Sequence, residues 1–179
     1  MADFFDEMSD DIIAFINEQH IFFTATAPQS GRINLSPKGM NTFRCLDCKT
    51  AAYLDLTGSG NETSAHLTEN GRMTIMFCSL GRRPLILRLY GRGTVVHRGD
   101  TDWDDIYSQF DDIVGARQII KLSIDSLQTS CGFAVPEYEI KGTRHTIEKW
   151  AERKVETGIE KYWQENNLVS IDGLPARPF

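Results

Sequence analysis

The first repeating signal along the chain is helical. Across residues 9–19, Ile12, Ile13, Phe15 and Ile16 recur on one face beside acidic neighbours. That spacing predicts a short amphipathic helix, with Ser9 or Asp10 as the cap that accepts a free first-turn N–H. The period then changes to that of strands. Residues 20–27 and 32–36 are β-rich runs on either side of the turn chemistry Pro28-Gln29-Ser30-Gly31, which predicts a hairpin. A third strand is predicted over 50–56, ended by Gly58 and Gly60, and a helix over 62–70, stopped by Gly71. Strands follow at 72–79 and, after the turn 81–84, at 85–96. Gly91 and Gly93 inside that last strand predict a bend or bulge. Residues 102–112 carry Trp103, Ile106, Tyr107 and Phe110 at helical spacing, and 118–126 return to β alternation. An extended piece is expected over 132–138. A helix over 145–166 offers Trp150, Val155, Ile159, Tyr162 and Trp163 for burial, and a Pro/Gly-punctuated tail runs extended over 170–179. Phe22, Phe23 and Phe77 are assigned to the core.

Six or seven strands with three helical insertions, and no crossover helix after each strand, predict a mainly β chain. The expected architecture is a closed or half-closed β-barrel with peripheral helices, not a doubly wound sheet. No internal repeat divides the 179 residues, so a single domain over 1–179 is expected, with a helical extension from about residue 143.

Charge and cysteine usage narrow the function classes. A formal net charge of -6 argues against a general nucleic-acid binder, which needs a basic surface, but it leaves room for one local phosphate pocket. The acidic N-terminus lacks the basic-then-apolar order of a secretory signal, and no apolar run nears the roughly 20 residues of a membrane span. A cytoplasmic protein with no membrane partner is the expectation. Cys45, Cys48, Cys78 and Cys131 form no dense framework and read as reduced thiols. Cys45-Leu46-Asp47-Cys48 has the spacing of half a zinc site, but no second pair follows, so no metal site is expected. His20, His97 and His145 are too scattered for a triad, and the acidic run over 100–112 reads as a solvated helix face.

Two segments carry candidate chemistry. In the stretch 53–66 a strand ends, two glycines open the backbone, and a helix begins near Asn61 or Glu62. A helix N-terminus presents unpaired N–H groups and a partial positive charge, which suits a phosphate; Thr57, Ser59, Asn61 and Thr63 add side-chain donors. The spacing is neither a Rossmann fingerprint, whose third glycine would fall at Thr63, nor a Walker loop. A capped turn without ligand is the competing reading. The second segment is Asn34-Leu35-Ser36-Pro37-Lys38-Gly39, where Pro37 is expected to end the ladder and present Lys38 from a rigid corner. His66, in the helix after the loop, reads as a packed or solvated residue or as a contact to a bound ligand.

Together, Asn-x-Ser-Pro-Lys-Gly, the strand end Asp-Leu-Thr-Gly-Ser-Gly-Asn-Glu-Thr, Gly-Arg-Met-Thr-Ile-Met-Phe and Arg-Leu-Tyr-Gly closely resemble the pyridoxamine 5′-phosphate oxidase-like flavoproteins over roughly residues 10–130. The resemblance implies an FMN-binding split β-barrel, working as a homodimer with FMN at the dimer interface. It implies that Ser36 and Lys38 from the first corner, and Ser59, Gly60, Asn61 and Thr63 from the second, hold the phosphate. Arg88 is the candidate that reaches the phosphate or the flavin edge. The sequence departs from the true oxidase in two places. Glu62-Thr63 stands where the oxidases carry an Arg-Lys pair, which shifts charge compensation to Lys38, Arg88 or Arg72; and the oxidases' C-terminal Trp-and-Arg segment is not recognisable. The implied function is an FMN-dependent oxidoreductase on a small-molecule substrate other than pyridoxamine 5′-phosphate. A non-enzymatic flavin-holding protein for storage or sensing, and a barrel without cofactor, stay open as alternatives.

Overall fold

The computed structural model describes residues 2–177; Met1 and the last two residues of the predicted tail, Pro178 and Phe179, lie outside the described residues. The elements follow as β1 (Asp3–Phe5), α1 (Asp10–Asn17), β2 (Phe22–Thr26), β3 (Asn34–Lys38), β4 (Phe43–Cys45) and β5 (Thr50–Leu56). Then come α2 (Glu62–Asn70), β6 (Arg72–Cys78), β7 (Ile86–Val96), α3 (Trp103–Tyr107), β8 (Ala116–Ser130) and α4 (Thr146–Asn166). Every strand pairing is antiparallel, and the sheet runs β3-β2-β6-β7-β8-β5-β4 from edge to edge, with β1 on β8. The chain is mainly β, as expected. No helix among the described residues is long and apolar enough to cross a membrane.

The sheet curls until its two ends meet. Phe22 of β2 packs against Phe43 of β4 with ring centroids 5.1 Å apart, although these strands lie near opposite edges. Tyr53 and Phe77 complete an aromatic cluster at 4.9–5.6 Å, each such pair adding about 0.5–1.5 kcal/mol beyond area burial. Inside the curl, Ala51 and Tyr53 of β5 join Ile75, Leu87, Leu89, Ile120, Leu122 and the α1 residues Ile12, Phe15 and Ile16. The opposite face of β5, Ala52 and Leu54, packs with Val96, Ile119 and the aromatic residues around α3. Being covered on both faces, β5 is apolar from Ala51 to Leu54 instead of alternating.

Two irregularities in β8 shape the barrel. Its register against β7 shifts between Tyr90 and Gly91, leaving Asp125 unmatched, and a Cβ on Gly91 would lie 2.0 Å from the Ser123 carbonyl oxygen. Only glycine allows that approach. The register against β5 shifts between Asp55 and Leu56, so Arg117 is the extra residue of a second bulge.

Several expected boundaries move. β3 runs through Pro37 to Lys38, because β3 is an edge strand and the missing N–H costs no ladder bond there. Phe23 is only half-buried: neighbours in a strand face opposite sides, and Phe22 takes the inner one. The predicted helix 102–112 shortens to α3 and ends in i→i+3 turns from Gln109 to Ile106 and Phe110 to Tyr107, which tuck Phe110 into the core. The piece 132–138 forms no strand; it is a turn closed by Val135 N–H to the Gly132 carbonyl. α4 breaks at Val155, which sits at φ 58°, outside the range natural to a β-branched residue; the break turns Val155 outward, 67% exposed instead of buried.

Candidate functional site

The seam where the curled sheet closes forms the floor of a cleft of about 560 Å³. Lys38, at the end of edge strand β3, donates to Asp55 Oδ1 of β5 at 3.1 Å across that seam. Asp55 faces inward by strand alternation from Tyr53 and is 2% exposed. Its other oxygen accepts from Arg117 Nη2 at 2.7 Å and Gln118 Nε2 at 2.8 Å. Burial opposes its ionisation, but Lys38 and Arg117, with the bonds from Arg117 and Gln118, overcome that and hold the carboxyl well below the usual carboxylate range. Asp55 is thus flanked by two cations at the cleft floor, and with Glu62 the lining holds two cations and two carboxylates.

Arg117 reaches this position because the bulge re-aims it from the sheet toward the strand end. Besides Asp55 it donates through Nη1 to the Gly60 carbonyl at 3.0 Å and to Asn167 Oδ1 at 2.9 Å, while its Nε has no partner. One guanidinium therefore ties together β5, the glycine loop and the segment after α4.

α2 starts at the cleft with its N-terminus unoccupied by a side-chain cap. Asn61 is the N-cap residue but does not cap; its Oδ1 accepts from Gln118 Nε2 at 2.8 Å instead. The first-turn N–H groups of a nine-residue helix thus carry no side-chain cap and open onto the cleft that Lys38 lines, an arrangement suited to a phosphate. Glu62, the acid in that turn, is held by the Ile171 N–H at 3.0 and 3.2 Å.

Of the sequence-designated residues, Ser36, Lys38, Ser59, Gly60, Asn61 and Thr63 all line this cleft. Arg88 does not: it lies mid-β7 opposite Met76 and Gln128 and donates to Ser130 Oγ at 3.1 Å. Arg72, at the start of β6, is also outside the lining. His66 is 1% exposed inside the barrel, with Nδ1 3.0 Å from Thr26 Oγ1. Sequence reasoning missed Asp55, Arg117, Gln118 and Asn167. For Asp55 the signal was present, an acid alone within an otherwise apolar strand; for Arg117 there was none, since periodicity cannot assign a face to a bulged residue.

The segment after α4 folds over the cleft of its own chain. Val169, Ser170 and Ile171 line it, Asn167 is wholly buried beneath, Arg32 pairs with Asp172, and Ser64 Oγ donates to the Arg177 carbonyl at 3.3 Å.

The family model described as pyridoxamine 5′-phosphate oxidase matches residues 8–131. The chain belongs to the pyridoxamine 5′-phosphate oxidase family. Among curated proteins it is 38% identical to the pyridoxamine 5′-phosphate oxidase family protein ustO of Aspergillus flavus, over 98% of this chain and 78% of that protein. Among solved structures it resembles a provisionally named pyridoxamine 5′-phosphate oxidase of Lactobacillus delbrueckii (TM-score 0.56, 14% identity, 69% of this chain and 94% of that one). HupZ of group A Streptococcus is similar at TM-score 0.53 and 20% identity, covering 67% and 91%. These likenesses concern the fold, a split β-barrel of this family. The family match stops before α4, so the helix and tail that cover the cleft lie beyond it.

Proposed function

We propose that this protein binds FMN with its phosphate in the cleft between Lys38 and the α2 N-terminus, and acts as an FMN-dependent oxidoreductase on a small molecule. One observation carries the reading: the uncapped N-terminus of α2 opens onto the same cleft as Lys38. Ser36, Ser59 and Thr63 offer hydroxyls, Asn61 an amide and Gly60 its backbone to the phosphate oxygens. Bound flavin supplies the electron-transfer chemistry; the chain's part is to hold, orient and shield it. Asp55 fixes Lys38 and Arg117 so that neither cation must reorganise when an anion arrives. Residues 169–171 exclude water from one side of the cleft.

The same reading has the protein in the cytoplasm as a homodimer. Ile33 and Leu35, at the edge strand β3, are 78% and 66% exposed, an apolar edge that a second copy would cover.

An absorbance spectrum after loading with FMN and gel filtration tests the proposal. Retained flavin near one per chain, re-oxidised in air and turning over with NAD(P)H, is the expected result. Retention without turnover with any reductant would favour a holding protein instead. No retained flavin would overturn both.

A further inference from the structure

α4 carries an apolar row, Ala151, Val155, Ile159 and Trp163, at the four-residue spacing that puts side chains on one helix face. Ala151, Ile159 and Trp163 are buried. Val155 is not: the helix breaks there at φ 58°, a strained conformation for a β-branched residue, and the side chain stays 67% exposed. All four line a cavity of about 770 Å³ between α4 and the segment 112–116 that leads into β8. That segment adds Ile113, half-buried, and Val114, 47% exposed. The cavity shares no lining residue with the phosphate cleft. Its charges are lopsided. Asp112, Glu152 and Glu160 line it from exposed positions, and none of the three has an ion-pair partner among the described residues. Arg98 is the one cation among the described residues that line it. Its Nη2 donates to the Ala116 carbonyl at 3.3 Å, and its guanidinium lies 5.7 Å from the centre of the Trp103 ring.

We propose that this cavity binds a small organic cation, an ammonium group on an apolar body, at a site separate from the phosphate cleft. The apolar body matches the surface that the chain leaves uncovered: a ligand lying against Val155 and Val114 removes both from water, beside a floor that is already apolar. The head group follows from charge. Three carboxylates against one guanidinium make the lining negative, so a cation is drawn in and an anion is repelled. Arg98 does little to reverse this, because its guanidinium is already turned to a carbonyl and a ring. Exposed carboxylates also let an ammonium keep part of its water while it pairs, which avoids the cost of burying a charge. The volume lies within the range of small-molecule pockets, about 300–1,000 Å³, so the occupant is of that size. With no residue common to the two spaces, this site stands whether or not the cleft takes a phosphate.

Calorimetric titrations of the full chain with 2-phenylethylamine, 2-phenylethanol and phenylacetate test this, since the three share a ring and differ in the charge of the head group. The amine should bind about fivefold more tightly than the alcohol, the worth of one partly exposed ion pair, and phenylacetate more weakly than either. Replacing both Glu152→Gln and Glu160→Gln, at exposed positions, should bring the amine down to the alcohol's affinity and leave the alcohol's unchanged. Val114→Trp, which fills the cavity from a half-exposed position, should weaken amine and alcohol alike. A melting curve for each variant shows that the fold is kept; if Val114→Trp melts early, the glutamate pair decides the matter. An amine that binds no more tightly than the alcohol or phenylacetate, or an amine affinity that the glutamate replacements leave unchanged, would overturn the site.

Discussion

Replacing Asp55 by Asn separates what the buried ion network does for the fold from what it does for the cleft. The substitution keeps shape and one acceptor but removes the only anion between Lys38 and Arg117. Breaking one side of a buried ion pair costs about 3–5 kcal/mol, because the remaining charge is left without compensation. Lys38, whose side chain is 23% exposed, can turn toward water; Arg117, at 4%, cannot. The cost therefore comes mainly from one stranded guanidinium, still bonded to Gly60 and Asn167, and the lower end of that range, about 3 kcal/mol, is expected. At this chain length each kcal/mol moves Tm by roughly 2–4 °C, so a drop of about 6–12 °C follows.

The pH dependence supplies a sign. The native carboxyl ionises well below its unfolded value of about 3.9, so its contribution is complete above that pH and fades as pH falls toward the native value. Urea unfolding of the flavin-free protein should show a constant gap between wild type and Asp55→Asn from about pH 8 to 5, narrowing below about pH 4. Phosphate binding should move the other way: with Asp55 neutralised, Lys38 and Arg117 face only the Glu62 carboxylate in the lining, and inorganic phosphate should bind more tightly. A stability loss under about 1 kcal/mol, or a gap unchanged down to pH 3, would refute the assignment of Asp55 as the buried counter-ion.

Three further outcomes follow from the same geometry. Lys38→Ala should weaken FMN binding by about 1.5–3 kcal/mol, the worth of a charged hydrogen bond, in a fluorescence-quenching titration; unchanged affinity would remove Lys38 from the phosphate site. Arg88→Ala should leave phosphate binding by the isolated chain unaltered, since Arg88 lies outside the cleft lining; a loss confined to the dimer fraction in sedimentation would mean that Arg88 serves the partner's cleft. Gly91→Ala should cost about 3 kcal/mol or more in urea unfolding, because its methyl would meet the Ser123 carbonyl oxygen of β8. Gly81→Ala, which meets nothing within 4 Å, is the control and should stay within about 0.5 kcal/mol.

The long elements were legible because periodicity and punctuation agreed along them. Ser9 caps α1 through its bond from Ile12, Gly71 ends α2 in the left-handed region, and Gly91 with Gly93 announced the bulged ribbon of β7 and β8. Two strands were illegible for a physical reason: β1 and β4 are three residues each, too short for an alternation to register. The cleft was half legible. Residues that serve through backbone geometry or hydroxyls, from Ser59 to Thr63, cluster in sequence where strand turns to helix. Arg117 and Asn167 lie 57 and 109 residues downstream of the loop glycines they bond, Gly60 and Gly58, and reach the loop because a bulge turns one and the end of α4 delivers the other.

That division bears on the proposed phosphate site. Its loop carries Glu62 and Thr63 and no cation, so the positive charges that line the cleft come from other elements. Arg117 reaches it from beneath, and its burial is balanced by Asp55 at its side. Lys38 then supplies the partly exposed charge and Arg117 the buried one, both held by Asp55. Fixing the inner cation also fixes the loop, since Arg117 bonds the Gly60 carbonyl, and Asn167 bonds the Gly58 carbonyl at 3.3 Å. A buried Arg117–Asp55 pair at the strand end thus holds the loop from beneath, while no charged side chain lines its other side at Trp150 and Tyr162.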